Sequence, residues 1–119
     1  MLRHPLAGIQ LVKGTVEPSE SRADAARREL FEESGLDTKQ PLFFIGKNTR
    51  MDCGQIWYFY SLDLLCKRNQ WIHFAPDDGG IELQFYWLAL LAPPPPDCGA
   101  LYARVLNYAR PQLRRRLQL

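Results

Sequence analysis

The chain has 119 residues, of which 46 % are hydrophobic and 12 % aromatic. That is enough apolar mass for one buried core but not two, so a single domain over residues 1–119 is expected. A formal net charge of +2 is too mild to make nucleic acid the main partner, although it suits an anionic phosphate ligand.

In chain order, Gly8 to Val12 reads as a short strand running into a loop at Gly14, and Pro18 marks a turn. Ser21 to Ser34 reads as a helix: Ser21 with Asp24 makes an N-terminal cap, Gly35 suits the left-handed position after the last turn, and Ala23, Ala26 and Leu30 form the inner face. Pro41 to Gly46 and Gln55 to Leu65 are strands rich in Phe, Ile, Trp and Tyr, connected through Met51 to Gly54. Trp71 to Phe74 is a third strand. Asp77 to Gly80 is a turn, and Ile81 to Leu91 a long apolar strand stopped by the prolines Pro93 to Pro96. These prolines read as a stiff polyproline II spacer leading to a helix from Gly99 to Tyr108, extended or resumed after Pro111. Arg110, Arg114, Arg115 and Arg116 complement the dipole at its C-terminal end more simply than they recruit a nucleic acid.

No secretory segment is visible, and the longest apolar run, Trp87 to Pro96, is too short to span a bilayer, so a soluble protein is expected. Cys53, Cys66 and Cys98 form neither a CxxC metal pair nor an even disulfide framework; they read as buried thiols of a cytoplasmic protein.

The stretch from Gly14 to Leu36 carries the sharpest functional signal. Glu29, Glu32 and Glu33 are related by three and four residues, which places three carboxylates on one helix face, near the end where the dipole disfavours them. A local rule broken in this way points to function, because a divalent cation turns repelling carboxylates into ligands. Arg28 can relieve part of the repulsion by pairing with Glu32.

The spacing of the whole stretch is also distinctive. Gly14, five residues, Glu20, seven residues, Arg28, Glu29, Leu30, any residue, Glu32, Glu33, any residue, Gly35 and Leu36 meet every specified position of the Nudix box, which this segment resembles. A chance match in a chain of this length is on the order of one in a million. The resemblance implies an α/β fold, a Nudix-like α/β/α sandwich around a mixed central sheet. It also implies hydrolysis of a diphosphate linkage in a nucleoside diphosphate derivative, with Mg²⁺ or Mn²⁺ held by Glu29, Glu32 and Glu33 and a carbonyl at or next to Gly14. Arg28 and Glu20 would then orient the carboxylates.

A diphosphate is strongly anionic, so attack by water needs charge neutralised, a nucleophile generated at neutral pH and a leaving phosphate stabilised; carboxylate-held Mg²⁺ can do all three. For the general base, enzymes resembling this one use either a carboxylate of the helix, here Glu32 or Glu33, or one from a later loop. In the latter case Glu82 comes first, ahead of Asp77 and Asp78, whose other reading is plain turn chemistry. Ile56, Tyr58 and Tyr60 alternate with Trp57 and Phe59, so one set faces a core and the other could line a cleft that stacks a nucleobase. His4 and His73 read as hydrogen-bonded structural or surface residues.

Three departures from the family pattern stand out. Val12 replaces a common proline before the loop, and Ser19 replaces a common glycine before Glu20. Only Met1 to Ala7 precedes the segment like Gly8 to Gly14, so the expectation is a sheet short of its first N-terminal strand, or one completed by residues upstream or by a partner chain in a homodimer. Substrate-binding residues stay undefined: the region some sixteen residues past the box, Met51 to Gly54, has neither the proline nor the tyrosine that marks certain subfamilies. The alternative function is a catalytically silent nucleotide-sensing or protein-binding module. A prenyl diphosphate isomerase is disfavoured, because the chain is short for one and shows no cysteine and glutamate pair for protonating a double bond.

Overall fold

The computed structural model describes residues 1–76 and 80–118. Its elements in order are β1 (Leu2–His4), β2 (Gly8–Gln10), α1 (Arg22–Ser34), β3 (Phe43–Asn48), β4 (Trp57–Ser61), β5 (Gln70–Ala75), β6 (Ile81–Tyr86) and α2 (Ala100–Leu117). Four strands form one sheet in the order β2-β1-β6-β5, and β3 pairs with β4 in a second. Every pairing between these strands is antiparallel; a single bridge between Ile9 and Cys98 supplies a parallel contact. Among the described residues no helix is long and apolar enough to cross a membrane.

The first strand is at the N-terminus, and the chain itself supplies it. Leu2 pairs with Gln10 on one side and Phe85 on the other, so this three-residue strand lies inside the sheet. Its brevity hides it from periodicity, yet Leu2 is among the most deeply buried residues, at 1 % exposure.

Strand ends follow their neighbours. β6 stops at Tyr86 instead of reaching Leu91, because Tyr86 pairs with Gln70, the first residue of β5, and no described strand lies opposite the residues beyond. β4 is likewise confined to Trp57–Ser61, the span that β3 can pair. The prolines do not simply extend as a spacer: a turn closes from the Pro95 carbonyl to the Cys98 amide at 2.9 Å, just before α2. α2 then runs without a break through Pro111. None of the three cysteines is buried; Cys53 is exposed and the other two are partly covered, all as free thiols.

The apolar interior falls into two clusters. Leu2, Ala75, Leu83 and Phe85, with Val12, Trp71 and Ile81, line the face of the large sheet that meets α1. Met51, Tyr102 and Val105, with Leu11, Trp57, Phe59 and Tyr108, pack α2 against the small sheet. Leu11 belongs to one cluster and its neighbour Val12 to the other, so the segment leaving β2 threads between them. Lys13 and Gly14 follow directly, which brings the loop of the motif to this junction.

Candidate active site

α1 begins and ends as its sequence dictates. Ser21 accepts a hydrogen bond from the Asp24 amide at 3.0 Å, and Gly35, at φ 75°, closes the last turn through its amide to the Phe31 carbonyl. The buried positions differ from the expected set: Ala25, Glu29 and Ser34 are buried, whereas Ala23, Ala26 and Leu30 are only partly covered. The helix touches both sheets, so its covered surface is wider than a single stripe.

Glu29 is thus a buried carboxylate, and the reason is visible at Gly14. A Cβ on Gly14 would lie 1.9 Å from Glu29 Cδ, so the side chain occupies the space that only a glycine leaves open. Arg28 supplies the counter-charge. Its Nη1 donates to Glu29 Oε1 at 2.8 Å and to Glu32 Oε2 at 3.2 Å, while Nε and Nη2 make a forked pair with Glu20 at 2.8 and 3.0 Å. Nη2 also reaches the Thr15 carbonyl at 2.9 Å. One guanidinium therefore ties the loop to two of the three helix carboxylates. The forked bond from Arg28 holds the Glu20 carboxyl below the usual range, and Glu20 in turn pushes the guanidinium well above its ordinary value, with Glu29 adding to the effect.

The loop carries a strained residue. Ser19 sits at φ 67°, a left-handed conformation natural to glycine.

Two side chains of β5 hold the C-terminal end of α1. Trp71 Nε1 donates to the Ser34 carbonyl at 3.0 Å, and His73 Nε2 donates to the Glu32 carbonyl at 3.1 Å. Because a carbonyl only accepts, Nε2 carries the proton of His73. These bonds satisfy carbonyls that the helix end leaves without partners, and they fix the turn bearing Glu32 and Glu33. His73 is therefore a structural histidine, as its isolation in sequence suggested.

Glu33 lines a cleft of about 220 Å³ together with Leu2, His4, Gln10, Lys13, Ala75, Ile81 and Leu83. Tyr102, on α2, feels its charge: burial and then Glu33 push the phenol up to about 12, and the hydroxyl is a buried group without a hydrogen-bond partner among the described residues. Glu82 is elsewhere. It alternates with Ile81 and Leu83, pairs across from Phe74, and lies exposed on the opposite face of the sheet. Asp77 and Asp78 lie outside the described residues.

The aromatic alternation in β4 gives one set to the core, as expected, while the cleft beside Glu33 is lined by none of Ile56, Tyr58 and Tyr60. Trp57 and Phe59 pack toward α2, with Phe59 and Tyr108 ring centres 5.0 Å apart. On the other side Arg22 lies 4.1 Å over the Tyr58 ring and Tyr60 meets Phe44. Sequence reasoning missed Lys13, Gln10 and Trp71. Lys13 alone carried a signal, as the residue beside the motif's first glycine; the others depend on strand register.

The donor set suits a hard divalent cation: Glu29 and Glu32 converge on a single nitrogen, a point that a positive charge occupies, and Glu33 follows on the same helix. Among the described residues no three acidic, histidine or cysteine side chains are drawn together into a ready-made cage. Comparison with curated proteins and with solved structures gives no match. The family model for the NUDIX domain does match, over residues 2–101, from the first strand to the start of α2 and across the whole carboxylate cluster, and the chain therefore belongs to the Nudix family.

Proposed function

We propose that the protein hydrolyses a diphosphate linkage in a nucleoside diphosphate derivative, with Mg²⁺ or Mn²⁺ as its cofactor. Membership of the Nudix family supports pyrophosphohydrolase-type activity on phosphoric anhydrides in general. The observation that carries the finer reading is the convergence of Glu29 and Glu32 on Arg28, beside a cleft that Glu33 helps to line.

Glu29, Glu32 and Glu33 would hold the cation, with a carbonyl at or next to Gly14. A hard divalent ion supplies neutralisation of the diphosphate charge and a bound water of lowered pKa. The chain's own residues do the rest. Arg28 fixes the rotamers of Glu29 and Glu32, and Glu20 fixes Arg28. The Trp71 and His73 bonds keep the last turn of α1 from fraying. Among the candidate bases, Glu32 and Glu33 stand on the same turn of α1 as the cation-holding carboxylates and would take the proton of the attacking water there, whereas Glu82 lies exposed on the opposite face of the sheet.

The test is phosphate release over a panel of nucleoside diphosphate derivatives with Mg²⁺ or Mn²⁺, wild type against Glu33→Gln. Turnover by the wild type and a loss of about 10²–10⁴-fold in kcat for the variant are expected. Absence of turnover with either metal, combined with a variant that binds nucleotide as tightly as wild type, would replace this reading with a silent nucleotide-sensing module.

A further inference from the structure

The cleft beside Glu33 has two chemically distinct parts. Leu2, Ala75, Ile81 and Leu83 supply its apolar part, and the sheet register puts Leu2 and Gln10 on one rung and His4 two rungs along, on the same face as Leu2. His4, Gln10 and Lys13 add hydrogen-bond donors. His4 is fixed as one: its Nδ1 accepts from the Leu6 and Ala7 amides, both at 3.0 Å, so the ring proton resides on Nε2. The Lys13 ammonium lies 5.9 Å from the centre of the Trp57 ring, which keeps it near the junction of the two cores.

The volume narrows what can enter. Pockets for whole drug-sized ligands run from about 300 to 1,000 Å³, so about 220 Å³ accommodates one part of a nucleotide and not all of it. A phosphate alone would leave the apolar part of the lining unmatched. A sugar would place its hydroxyls against them, and a prenyl chain would strand the donors of His4, Gln10 and Lys13. A flat heterocycle with ring nitrogens and carbonyl oxygens satisfies both parts.

We propose that this cleft seats the substrate's nucleobase, read by His4 and Gln10, and that Lys13 binds the phosphate chain where it leaves the cleft toward Glu29 and Glu32. The phosphate half rests on the hydrolase reading above; the base half does not, because it is measured as binding without turnover.

Titration calorimetry of the full chain with Mg²⁺ makes the test. The probes are the non-hydrolysable α,β-methylene analogues of adenosine, guanosine, cytidine and uridine diphosphate, and methylenediphosphonate as their base-free counterpart. At least one nucleoside analogue should bind about tenfold or more tightly than methylenediphosphonate. Gln10→Ala should remove most of that difference and leave methylenediphosphonate unchanged. Lys13→Ala should weaken both classes by about tenfold, the scale of one charge-assisted hydrogen bond, and Lys13→Arg should restore much of the loss. Equal binding of the base-free probe and every nucleoside analogue overturns the nucleobase assignment. Wild-type affinities in Lys13→Ala overturn the phosphate assignment. A chain that binds as expected and yet turns over no nucleotide leaves the cleft assignment standing and removes the hydrolase reading alone.

Discussion

Gly14 and Glu29 illustrate how one residue's missing side chain sets the position of another's charge. A methyl at Gly14 would overlap the far end of the Glu29 side chain, where the nearest atoms are Cδ, Oε1 and Cγ at 1.9 to 2.3 Å. Such an end can swing away, so the fold survives, but the carboxylate leaves its bond to Arg28. For Gly14→Ala we expect a stability loss of about 1–2 kcal/mol, the scale of a disturbed charge-assisted hydrogen bond. On the proposed function Glu29 helps to hold the cation, and misplacement by an ångström costs about 10²-fold in rate, so a drop in hydrolysis of that order is expected beside it. Urea unfolding of Gly14→Ala, Glu29→Ala and the double variant separates the two effects, because the stability cost of the alanine should vanish once the Glu29 carboxylate is gone. A single variant that hydrolyses within twofold of wild type would contradict this account of Gly14.

At the scale of elements, α1 is a helix whose sequence invites fraying at the end that matters. Three glutamates oppose the dipole there and no basic residue sits in the last turn. The sheet compensates through Trp71 and His73. In Trp71→Phe the ring can keep its stacking on Phe85, 5.2 Å away and nearly parallel, while the bond to Ser34 is lost. A destabilisation of about 1 kcal/mol is expected, with a fall in kcat because the turn carrying Glu32 and Glu33 loosens. Trp87→Phe is the control: its indole bonds the Arg68 carbonyl in an exposed setting, so it should change stability by less than about 0.5 kcal/mol. Equal effects in the two variants would remove the clamp from the explanation.

The same helix marks what a sequence can and cannot disclose. Its cap at Ser21, its stop at Gly35 and its pairing of Arg28 with Glu32 are local, and all were legible. β1 was not, because three residues give no periodicity and the strand exists only through Gln10 and Phe85 beside it. The over-long strand to Leu91 errs for the same reason, since apolar residues alone do not say where a partner ends. Within the site, the box residues were readable from spacing. Lys13, Gln10 and Trp71 required knowing which strands adjoin.

For the molecule as a whole, three ion pairs fasten one segment to another, two of them across more than fifty residues of sequence. Arg28 holds Glu20 against α1, Arg116 on α2 grips both oxygens of Asp63 at 3.0 Å, and Arg3 on β1 pairs with Asp97 ahead of α2. Each arginine, through its hydrogen bond, holds its partner's carboxyl below the ordinary value, 4.5 for Glu20 and 3.8 for the two aspartates. A carboxylate whose folded pKa is depressed binds fewer protons folded than unfolded, so its contribution is complete above the unfolded pKa and disappears as pH falls through the folded one. Stability should therefore be insensitive to these groups above about pH 5 and decline as the solution is acidified through and below 4.5. All three pairs are solvent-accessible, so added salt should shallow the decline. Unfolding midpoints measured between about pH 2.5 and 6 at low and high salt would show it. Asp63→Asn should remove part of the acid slope without altering hydrolysis at neutral pH, because the pair joins α2 to the loop after β4 and not to the carboxylate cluster. An Asp63→Asn variant whose acid slope matches wild type would mean that the Arg116 contact contributes nothing to the folded state in solution.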